Sequence, residues 1–362
     1  MPAPIRRHLV VMSLVAALFA GHPTLAQAVN GPSGPDITIQ GKTFYKDGKP
    51  WLPKGIQIEG LNRPLDDYES AAGPAYAKQG RAWYGPAELN AIRTVFRADV
   101  VRFQVSQPGL DPQSPIYRPA YVSELLDAFR LARSHGFVVI VSVDAQSENG
   151  IPNLPGMPND STVRAWQTLA PLLAKDHGIL LELFNEPALS SNAQNQSQWA
   201  QSTQAVIAAV RNKGATNILL VDGLLYGRST NGLFRLVHDT IPNRLALAVH
   251  PYLSKGSFVT EKQWNDQFGA SAQKYPMIAT EWNATPTNGC IGPDTPSVAG
   301  SLMRYLESLH IGLIGWAIDS NYGKLVKDHT DFQPTDYSTF TDCSKTPSDS
   351  GGGKLLANYP NK

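Results

Sequence analysis

The feature that most constrains the fold is a regular alternation of short apolar runs with helical patterns, repeated eight times along the chain. Strands of a parallel sheet are buried on both faces and therefore read as nearly continuous apolar runs. Eight strand–helix units in one chain predict an α/β fold, a single (β/α)8 TIM barrel. The alternative is an open doubly wound sheet, which is disfavoured because no glycine-rich phosphate loop follows the first run. The runs cover residues 52–58, 99–105, 137–143, 179–184, 218–221, 245–249, 276–280 and 311–316.

Local signals add detail at both ends of these units. Ser161 is the predicted N-cap of the third helix, and Gly136 follows the end of the second. Before the first run, segments 37–39 and 43–45 and the turn at Asp47-Gly48 predict a short β-hairpin. We expect this hairpin to cover the bottom of the barrel.

Composition limits the partners of the chain. Its 362 residues suffice for two average domains or for one barrel with long loops, and no repeat or linker indicates a second domain. The formal net charge is +1, with no basic stripe and no acidic tail. This argues against nucleic acid or an anionic membrane surface as the main partner. We expect a monomer.

The first 28 residues have the pattern of a signal peptide. Arg6-Arg7-His8 precedes the apolar run 9–20, and Ala26-Gln27-Ala28 is a small-residue cleavage site. We therefore expect a catalytic domain over residues 29–362 and a secreted or periplasmic location, by either the general or the twin-arginine export route. The two cysteines, Cys290 and Cys343, are predicted to form a disulfide in that oxidising compartment, with two free thiols as the alternative.

Two glutamates stand where apolar runs end. Glu186 lies in the string Leu-Phe-Asn-Glu-Pro and Glu281 in the string Ala-Thr-Glu-Trp. Hydrolysis of a glycosidic bond needs two carboxyl groups that face each other across the bond. Each glutamate alone reads equally as a surface ion-pair partner or a helix cap.

Other polar residues occur at the ends of the same runs and carry a family resemblance. They are Arg102 on run two, Asn185 before Glu186 on run four, His250 and Tyr252 on run six, and Trp316 on run eight. In this order and spacing the chain resembles glycoside hydrolase family 5, the cellulase, endoglucanase and mannanase group of barrel glycosidases. The resemblance extends from about residue 37 to residue 317.

The resemblance implies a role for each residue. Glu186 would be the acid/base and Glu281 the nucleophile, kept ionised by Arg102 and hydrogen-bonded by Tyr252. Asn185 would hold the sugar 2-hydroxyl, His250 would orient the acid or bind sugar, and Trp316 would offer a flat apolar face to a sugar ring. Both glutamates would act without metal or cofactor.

One departure from the family pattern concerns specificity. The family usually has a histidine just after strand three, where this chain has Asp144 and Gln146, and either can take that place. Glu59, after run one, is a further candidate for sugar contact. The long loop 61–85 contains Tyr68, Tyr76, Trp83 and Tyr84, which either stack on sugars or fasten the loop to the barrel.

The sequence therefore predicts a secreted retaining β-glycosidase that hydrolyses a β-linked polysaccharide, with β-1,4-glucan as the preferred substrate. β-Mannanase and β-1,3-glucanase activity, or a non-catalytic sugar-binding barrel, are the alternatives. An aldolase or metal hydrolase would need a lysine or a His/Asp cluster at a strand end, and we recognise neither in the sequence. Endo or exo action stays open.

Overall fold

Eight parallel strands form a closed barrel in the computed structural model, which describes residues 34–64, 81, 83–146, 151, 156–320 and 324–361. The strands follow one another in chain order around the barrel, and the last pairs with the first. They are β4 (Lys54–Ile58), β5 (Val100–Ser106), β6 (Val138–Asp144), β7 (Ile179–Glu182), β8 (Leu219–Asp222), β9 (Leu245–Val249), β10 (Met277–Trp282) and β11 (Gly312–Gly315). Each predicted run overlaps one of these strands, so the predicted TIM barrel is confirmed. The predicted signal peptide, Tyr68 and Tyr76 lie outside the described residues.

In the described part of the chain, helices lie between the strands and after the last one, and they range from 3 to 20 residues in length. They are α1 (Pro86–Thr94), α2 (Gln107–Leu110), α3 (Pro119–Ser134), α4 (Asp160–Leu173), α5 (Ala193–Asn212), α6 (Glu261–Trp264), α7 (Ala270–Ala272), α8 (Thr295–Ser308) and α9 (Gly353–Asn358). A 3₁₀ turn covers Phe234–Leu236, and a π-helical turn, Asn265–Gly269, joins α6 to α7. Among the described residues, no helix combines the length and the apolar character needed to cross a bilayer.

The predicted N-cap of α4 was wrong by two residues. Asn159 is the cap, and its side chain accepts the backbone N–H of Thr162 at 3.1 Å. Ser161 lies inside the first turn, where its hydroxyl donates to Asp111 Oδ2 at 2.7 Å. Asparagine and serine are comparable caps, so the choice depended on a tertiary contact that the local sequence does not encode.

A three-stranded antiparallel sheet precedes the barrel. It consists of β1 (Ile37–Gln40), β2 (Thr43–Lys46) and β3 (Lys49–Trp51), with Asp47 and Gly48 at positive φ angles of 50° and 76° in the second turn. The predicted hairpin is thus confirmed and extended by a third strand. Its apolar side packs against the lowest layer of the barrel interior, through the buried side chains of Ile37, Ile39, Phe44 and Trp51.

The barrel interior changes from apolar to polar along each strand. Because successive side chains of a strand point to opposite faces, every second residue faces inward. Ile218, just before β8, and Leu220 on β8 belong to the apolar layer, and Asp222 follows two positions later. On β5, Val100 lies in the apolar layer and Arg102, two positions later, lies in the polar one. The upper layer is therefore polar, and its members are Gln57, Arg102, Ser142, Glu182, Asp222, His250 and Thr280.

Loops on the upper side are tied to one another. The disulfide between Cys290 and Cys343 is present, with Cα atoms 5.9 Å apart, and it joins the segments after β10 and β11 as predicted. Trp83 stacks on His329 of the segment after β11, with ring centroids 3.6 Å apart. The Tyr84 hydroxyl donates to the backbone oxygen of Ala128 at 2.7 Å, so this aromatic fastens its loop to the barrel.

Candidate active site

Arg102 is the central cation of the polar layer. Its side chain is fully buried, and its guanidinium donates to two carboxylates on different strands. Nε and Nη2 bond both oxygens of Glu182 at 2.8 and 2.7 Å, and Nη1 bonds Glu281 Oε2 at 2.9 Å. The pKa of Arg102 is raised because these carboxylates outweigh the opposing effect of burial. The guanidinium therefore carries a fixed positive charge at the centre of the site.

Glu182 was not predicted as a site residue. The chelating pair with Arg102 holds its pKa well below the usual range even though the side chain is fully buried, and Thr280 donates to Oε1 at 3.1 Å. A carboxylate inside an apolar strand is rarely buried without a charged partner. Glu182 lies inside the apolar run 179–184, so this rule could have predicted from the sequence that Glu182 pairs with a buried cation such as Arg102.

Glu281 ends β10 and accepts two hydrogen bonds. Arg102 Nη1 donates to Oε2, and the Tyr252 hydroxyl donates to Oε1, each at 2.9 Å. Burial raises the pKa of Glu281; His250, Arg102 and Tyr252 oppose this rise, and the carboxylate of Glu186 adds to it. The pKa of Glu281 is thus above the ordinary value, although Arg102 was expected to keep this carboxyl group ionised. Both donors are nevertheless directed at the carboxylate form.

Glu186 follows β7 in a turn that aims its side chain at Glu281. Its φ of 56° is left-handed, a conformation that a non-glycine residue adopts at a cost of roughly 1–3 kcal/mol. Asn185 N–H donates to the backbone oxygen of Val143 at 2.8 Å and anchors the turn to β6. One oxygen each of Glu186 and Glu281 and one nitrogen of His250 all lie within 4.8 Å of one another.

Asn185 lies between Arg102 and the interior of the site. Its Oδ1 accepts from Arg102 Nη2 at 2.7 Å, and the side chain is almost fully buried. Its Nδ2 has no hydrogen-bond partner among the described residues. An amide nitrogen held in this way is a donor for a sugar hydroxyl.

His250 stands directly behind Glu186. Its Nδ1 lies 2.9 Å from Glu186 Oε1, and its Nε2 lies 3.1 Å from Thr280 Oγ1. Because the Thr280 hydroxyl donates to Glu182, Nε2 carries a proton and donates to Thr280. The mobile proton of this group is therefore the one between Nδ1 and Glu186. Burial lowers the pKa of His250, but the surrounding carboxylates outweigh it and raise the pKa well above its usual value.

The structure separates the two candidates for the missing strand-three histidine. Gln146 Nε2 donates to Glu186 Oε2 at 2.9 Å, so Gln146 contacts the carboxyl group that was predicted to be the acid. Asp144 is fully buried, accepts the backbone N–H of Gln146 at 3.1 Å and also accepts from the Gln104 side chain. Gln146 therefore contacts Glu186 directly, and Asp144 holds the backbone of Gln146 in place.

Glu59 and Trp316 lie at neighbouring strand ends. The Asp319 carboxylate accepts the backbone N–H of Glu59 at 2.9 Å and that of Gly60 at 2.7 Å, so it fixes the chain leaving β4. The Glu59 side chain is buried, at 6% exposed. Trp316 follows β11, its backbone N–H donates to the oxygen of Trp282 at 2.9 Å, and its peptide bond to Ala317 is cis. Its side chain is half-buried.

Within the part of the chain that the structure describes, two groups of side chains have the composition of a metal site. They are Glu182, Asp222 and His250, and Glu186, His250 and Glu281. Both groups share His250, and the Arg102 guanidinium already bonds Glu182 and Glu281. A metal ion in either position would compete with that fixed positive charge. The donor set is therefore poorly suited to a metal.

The wider set of site residues beyond the prediction shares one property. Each is a polar residue at an inward position near the carboxyl end of its strand. Counting every second residue along each predicted run, as the alternation of inward and outward side chains requires, would have identified these residues from the sequence. They are Gln57, Gln104, Ser142, Glu182, Asp222 and Thr280.

Comparison with known proteins places this site in a family context. The family model described as cellulase (glycosyl hydrolase family 5) matches residues 64–322. The β-mannanase/endoglucanase A of Caldicellulosiruptor saccharolyticus is 24% identical over 207 residues, which are 54% of this chain and 14% of that protein. A mannan endo-1,4-β-mannosidase of Cellvibrio japonicus is 23% identical over 159 residues, which are 42% of this chain and 35% of that protein. The chain thus spans about a seventh and a third of the lengths of these relatives.

Solved structures share the fold. The β-glucanase SdGluc5_26A of Saccharophagus degradans superposes with a TM-score of 0.63 at 18% identity, over 87% of this chain and 94% of that one. The catalytic domain of endoglucanase Cel5A from Thermobifida fusca, in complex with cellotetraose, gives a TM-score of 0.61 at 15% identity, over 89% and 96% of the two chains. At these identities the likeness concerns the architecture of the barrel.

Proposed function

Because the chain belongs to glycosyl hydrolase family 5, we propose that it hydrolyses β-glycosidic bonds by a two-glutamate double displacement. The observation that carries the proposal is the pairing of Glu186 with Glu281. Their nearest oxygens lie within 4.8 Å, which suits the ~5–5.5 Å carboxyl separation of retaining enzymes better than the ~6.5–9.5 Å of inverting ones. The first spacing leaves no room for a water molecule between sugar and nucleophile.

The hydrogen-bond donors favour one assignment of the roles. Glu281 faces Arg102, which can only donate, and Tyr252, which donates to the other oxygen. Glu186 faces His250 Nδ1, which can accept a proton from it or return one. Glu281 is therefore the nucleophile and Glu186 the acid/base.

In the first step, Glu281 attacks the anomeric carbon while Glu186 transfers its proton to the leaving oxygen. The bond from the anomeric carbon to the leaving oxygen breaks, and a glycosyl ester of Glu281 forms. Arg102 and Tyr252 hold Glu281 in place for the attack. The Asn185 amide donates to the 2-hydroxyl, a contact that strengthens as the ring becomes oxocarbenium-like.

In the second step, Glu186 acts as a base. It removes a proton from water, which attacks the anomeric carbon and releases Glu281 as a carboxylate. Two displacements restore the starting anomeric configuration. His250 and Gln146 keep both oxygens of Glu186 in place through the cycle.

The proposed substrate is a β-1,4-glucan, with β-1,4-mannan as the second candidate. The glucan is supported by the cellulase description of the matching family model. Mannan is supported by the names of the two curated relatives above. We also propose that the protein acts outside the cytosol, since the Cys290–Cys343 disulfide suits an oxidising compartment.

A substrate panel tests this proposal. Purified protein is incubated with β-1,4-glucan, β-1,4-mannan and β-1,3-glucan, and the sizes of the products are determined by chromatography. The glucan should be cleaved fastest, and Glu281→Ala should cleave none of the three. Faster cleavage of mannan would reassign the substrate. No cleavage of any glycan, together with binding to one of them, would make the chain a sugar-binding barrel.

A further inference from the structure

Asp222 is a buried carboxyl group that the proposed reaction does not use. It ends β8, its side chain is fully buried, and neither oxygen has a hydrogen-bond partner among the described residues. Leaving a buried polar group without a partner costs about 1–3 kcal/mol. A residue retained at such a cost is a candidate for a functional role.

The surroundings of Asp222 connect it to the acid/base through His250. Asp222 Oδ1 lies 3.3 Å from His250 Nε2, and the opposite nitrogen of the same ring lies 2.9 Å from Glu186 Oε1. The three side chains come from the ends of β8, β9 and β7, and therefore form a line across the mouth of the barrel. Asp222 lies on the far side of the imidazole from Glu186.

Other charged groups surround the line formed by Asp222, His250 and Glu186. Glu182 Oε1 lies 3.6 Å from His250 Nε2, and Glu281 Oε2 lies 3.9 Å from Nδ1. Arg102 on β5 donates to both of these carboxylates, and Tyr252 in the segment after β9 donates to Glu281. Of these groups, Glu182 is bonded by Arg102 and Thr280, whereas Asp222 is near His250, the Glu182 carboxylate and the Arg102 guanidinium and has no hydrogen-bond partner among the described residues.

We propose that Asp222 is a positioning residue for the acid/base: together with the Thr280 hydroxyl, which accepts the Nε2–H, the Asp222 carboxyl group keeps the His250 ring with Nε2 protonated, so that Nδ1 always faces Glu186. A ring flip would exchange the two nitrogens and break the contact with Glu186. An acceptor behind a histidine is the usual means by which proteins fix its tautomer and orientation. This inference rests on the proposed function, because it assigns Glu186 as the acid/base.

The variants that test this role differ in what they place beside the imidazole. Burial raises the pKa of Asp222 well above the usual value, and the neighbouring Glu182 carboxylate adds to the rise. Asparagine has the same shape and keeps a polar oxygen 3.3 Å from His250 Nε2 if it adopts the same rotamer, whereas leucine has no polar atom there.

The first experiment compares Asp222→Asn with Asp222→Leu on two substrates. In Asp222→Leu, kcat/KM on the polysaccharide should fall about 10- to 100-fold, while kcat/KM on an activated aryl glycoside should fall much less. The basic limb of its pH profile should move to lower pH, because the imidazole loses an acceptor that stabilises its proton. Asp222→Asn should retain most of the wild-type rate. Asp222→Ala repeats the comparison if the leucine side chain prevents folding.

Asp239→Asn is the matched control. Asp239 is also a buried carboxylate, but it pairs with Arg211 at 2.8 Å away from the site. This variant should lose stability and keep the wild-type pH profile. Equal losses of Asp222→Leu on both substrates, with an unshifted pH profile, would overturn the proposal in favour of a structural role.

A measurement without substrate separates this proposal from the proposed function. Nitrogen NMR of histidine-labelled free enzyme, with the His250 signal assigned by its loss in His250→Gln, reports which ring nitrogen carries the proton. Wild type and Asp222→Asn should show a protected Nε2–H, and Asp222→Leu should lose that protection. An unchanged signal in Asp222→Leu would refute the role of Asp222, whether or not the enzyme cleaves glycans.

Discussion

The side chains that surround Glu186 and Glu281 differ and support different roles for the two residues. Glu281 accepts from two donors, whereas Glu186 accepts from one donor and lies 2.9 Å from a nitrogen of His250. The difference lies in the neighbours, since both residues are glutamates at strand ends. Enzymes commonly assign acid and nucleophile to chemically identical groups by such differences in environment.

Replacing Glu186 tests the acid role. In Glu186→Ala, kcat/KM on polysaccharide should fall by about 10²–10⁴, because the leaving oxygen is no longer protonated. An activated aryl glycoside needs no such proton, so its first step should slow far less. Added azide should speed turnover of the aryl substrate by replacing water as the acceptor. Equal losses on both substrates without azide rescue would identify another residue as the acid.

The pKa of Glu281 predicts the acidic limb of the rate profile. The nucleophile must be ionised, and burial raises its pKa, so activity should be lost on acidification at a pH above the ordinary glutamate range. The Tyr252 hydrogen bond opposes that rise, so Tyr252→Phe should move the acidic limb of kcat/KM further up in pH. The profile is measured with an activated aryl glycoside to isolate the nucleophile. An acidic limb that stays in place in Tyr252→Phe would show that this hydrogen bond does not act on the ionised form.

Whole strands and helices were predictable to different degrees. All eight barrel strands were found because a strand buried on both faces needs a continuous apolar run. β3 was not predicted because Lys49 and Pro50 do not form an apolar or alternating pattern, although proline is tolerated at the edge of a sheet, where β3 lies. The contacts of Arg102 with Glu182 and Glu281 depend on the stagger between strands that are far apart in sequence, which a single run does not encode.

The last helix depends on a buried lysine of the first barrel strand. Lys54 Nζ donates to the backbone oxygens of Ala357 and Tyr359 at 2.8 and 2.7 Å, at the carboxyl end of α9. Lys54→Met keeps the length of the side chain but leaves both oxygens without this donor. The free energy of unfolding should fall by about 1–3 kcal/mol in chemical denaturation. Lys354→Met, an exposed position on the same helix, should have little effect.

The same lysine gives a signed dependence on pH. Burial lowers the pKa of Lys54 to about 8, below the ordinary value of 10.5 for an unfolded lysine. Between these values the unfolded chain binds more protons, so the stability contributed by this group rises with pH. Wild type should therefore gain stability relative to Lys54→Met from pH 8 to 10.5. A constant difference over that range would mean that Lys54 titrates normally in the folded protein.

The whole molecule separates stability from chemistry along the barrel axis. The lower interior layer is apolar and sealed by the N-terminal sheet, whereas the upper layer carries the charged groups. Only the upper loops are linked by the disulfide, which closes 53 residues between Cys290 and Cys343. This arrangement predicts that the disulfide affects the stability of the loops and leaves the glutamate pair unchanged.

Removing the disulfide tests that separation. Cys343→Ser should lower the free energy of unfolding by up to about 4 kcal/mol, the loop-entropy limit for a link of this length. The catalytic rate at low temperature should stay at the wild-type value. Thermal denaturation of wild type under reducing conditions should match that of the variant. A large loss of rate with unchanged stability would mean that the link shapes the substrate groove.

The central claim, that Glu281 forms a covalent glycosyl ester during a retaining reaction, is tested most directly by trapping that ester. The protein is incubated with an activated aryl 2-deoxy-2-fluoro-β-cellobioside, digested and analysed by mass spectrometry. The account predicts one added glycosyl group, carried by Glu281 and absent from Glu281→Ala. Glycan turnover without any adduct, or an adduct on another residue, would contradict it.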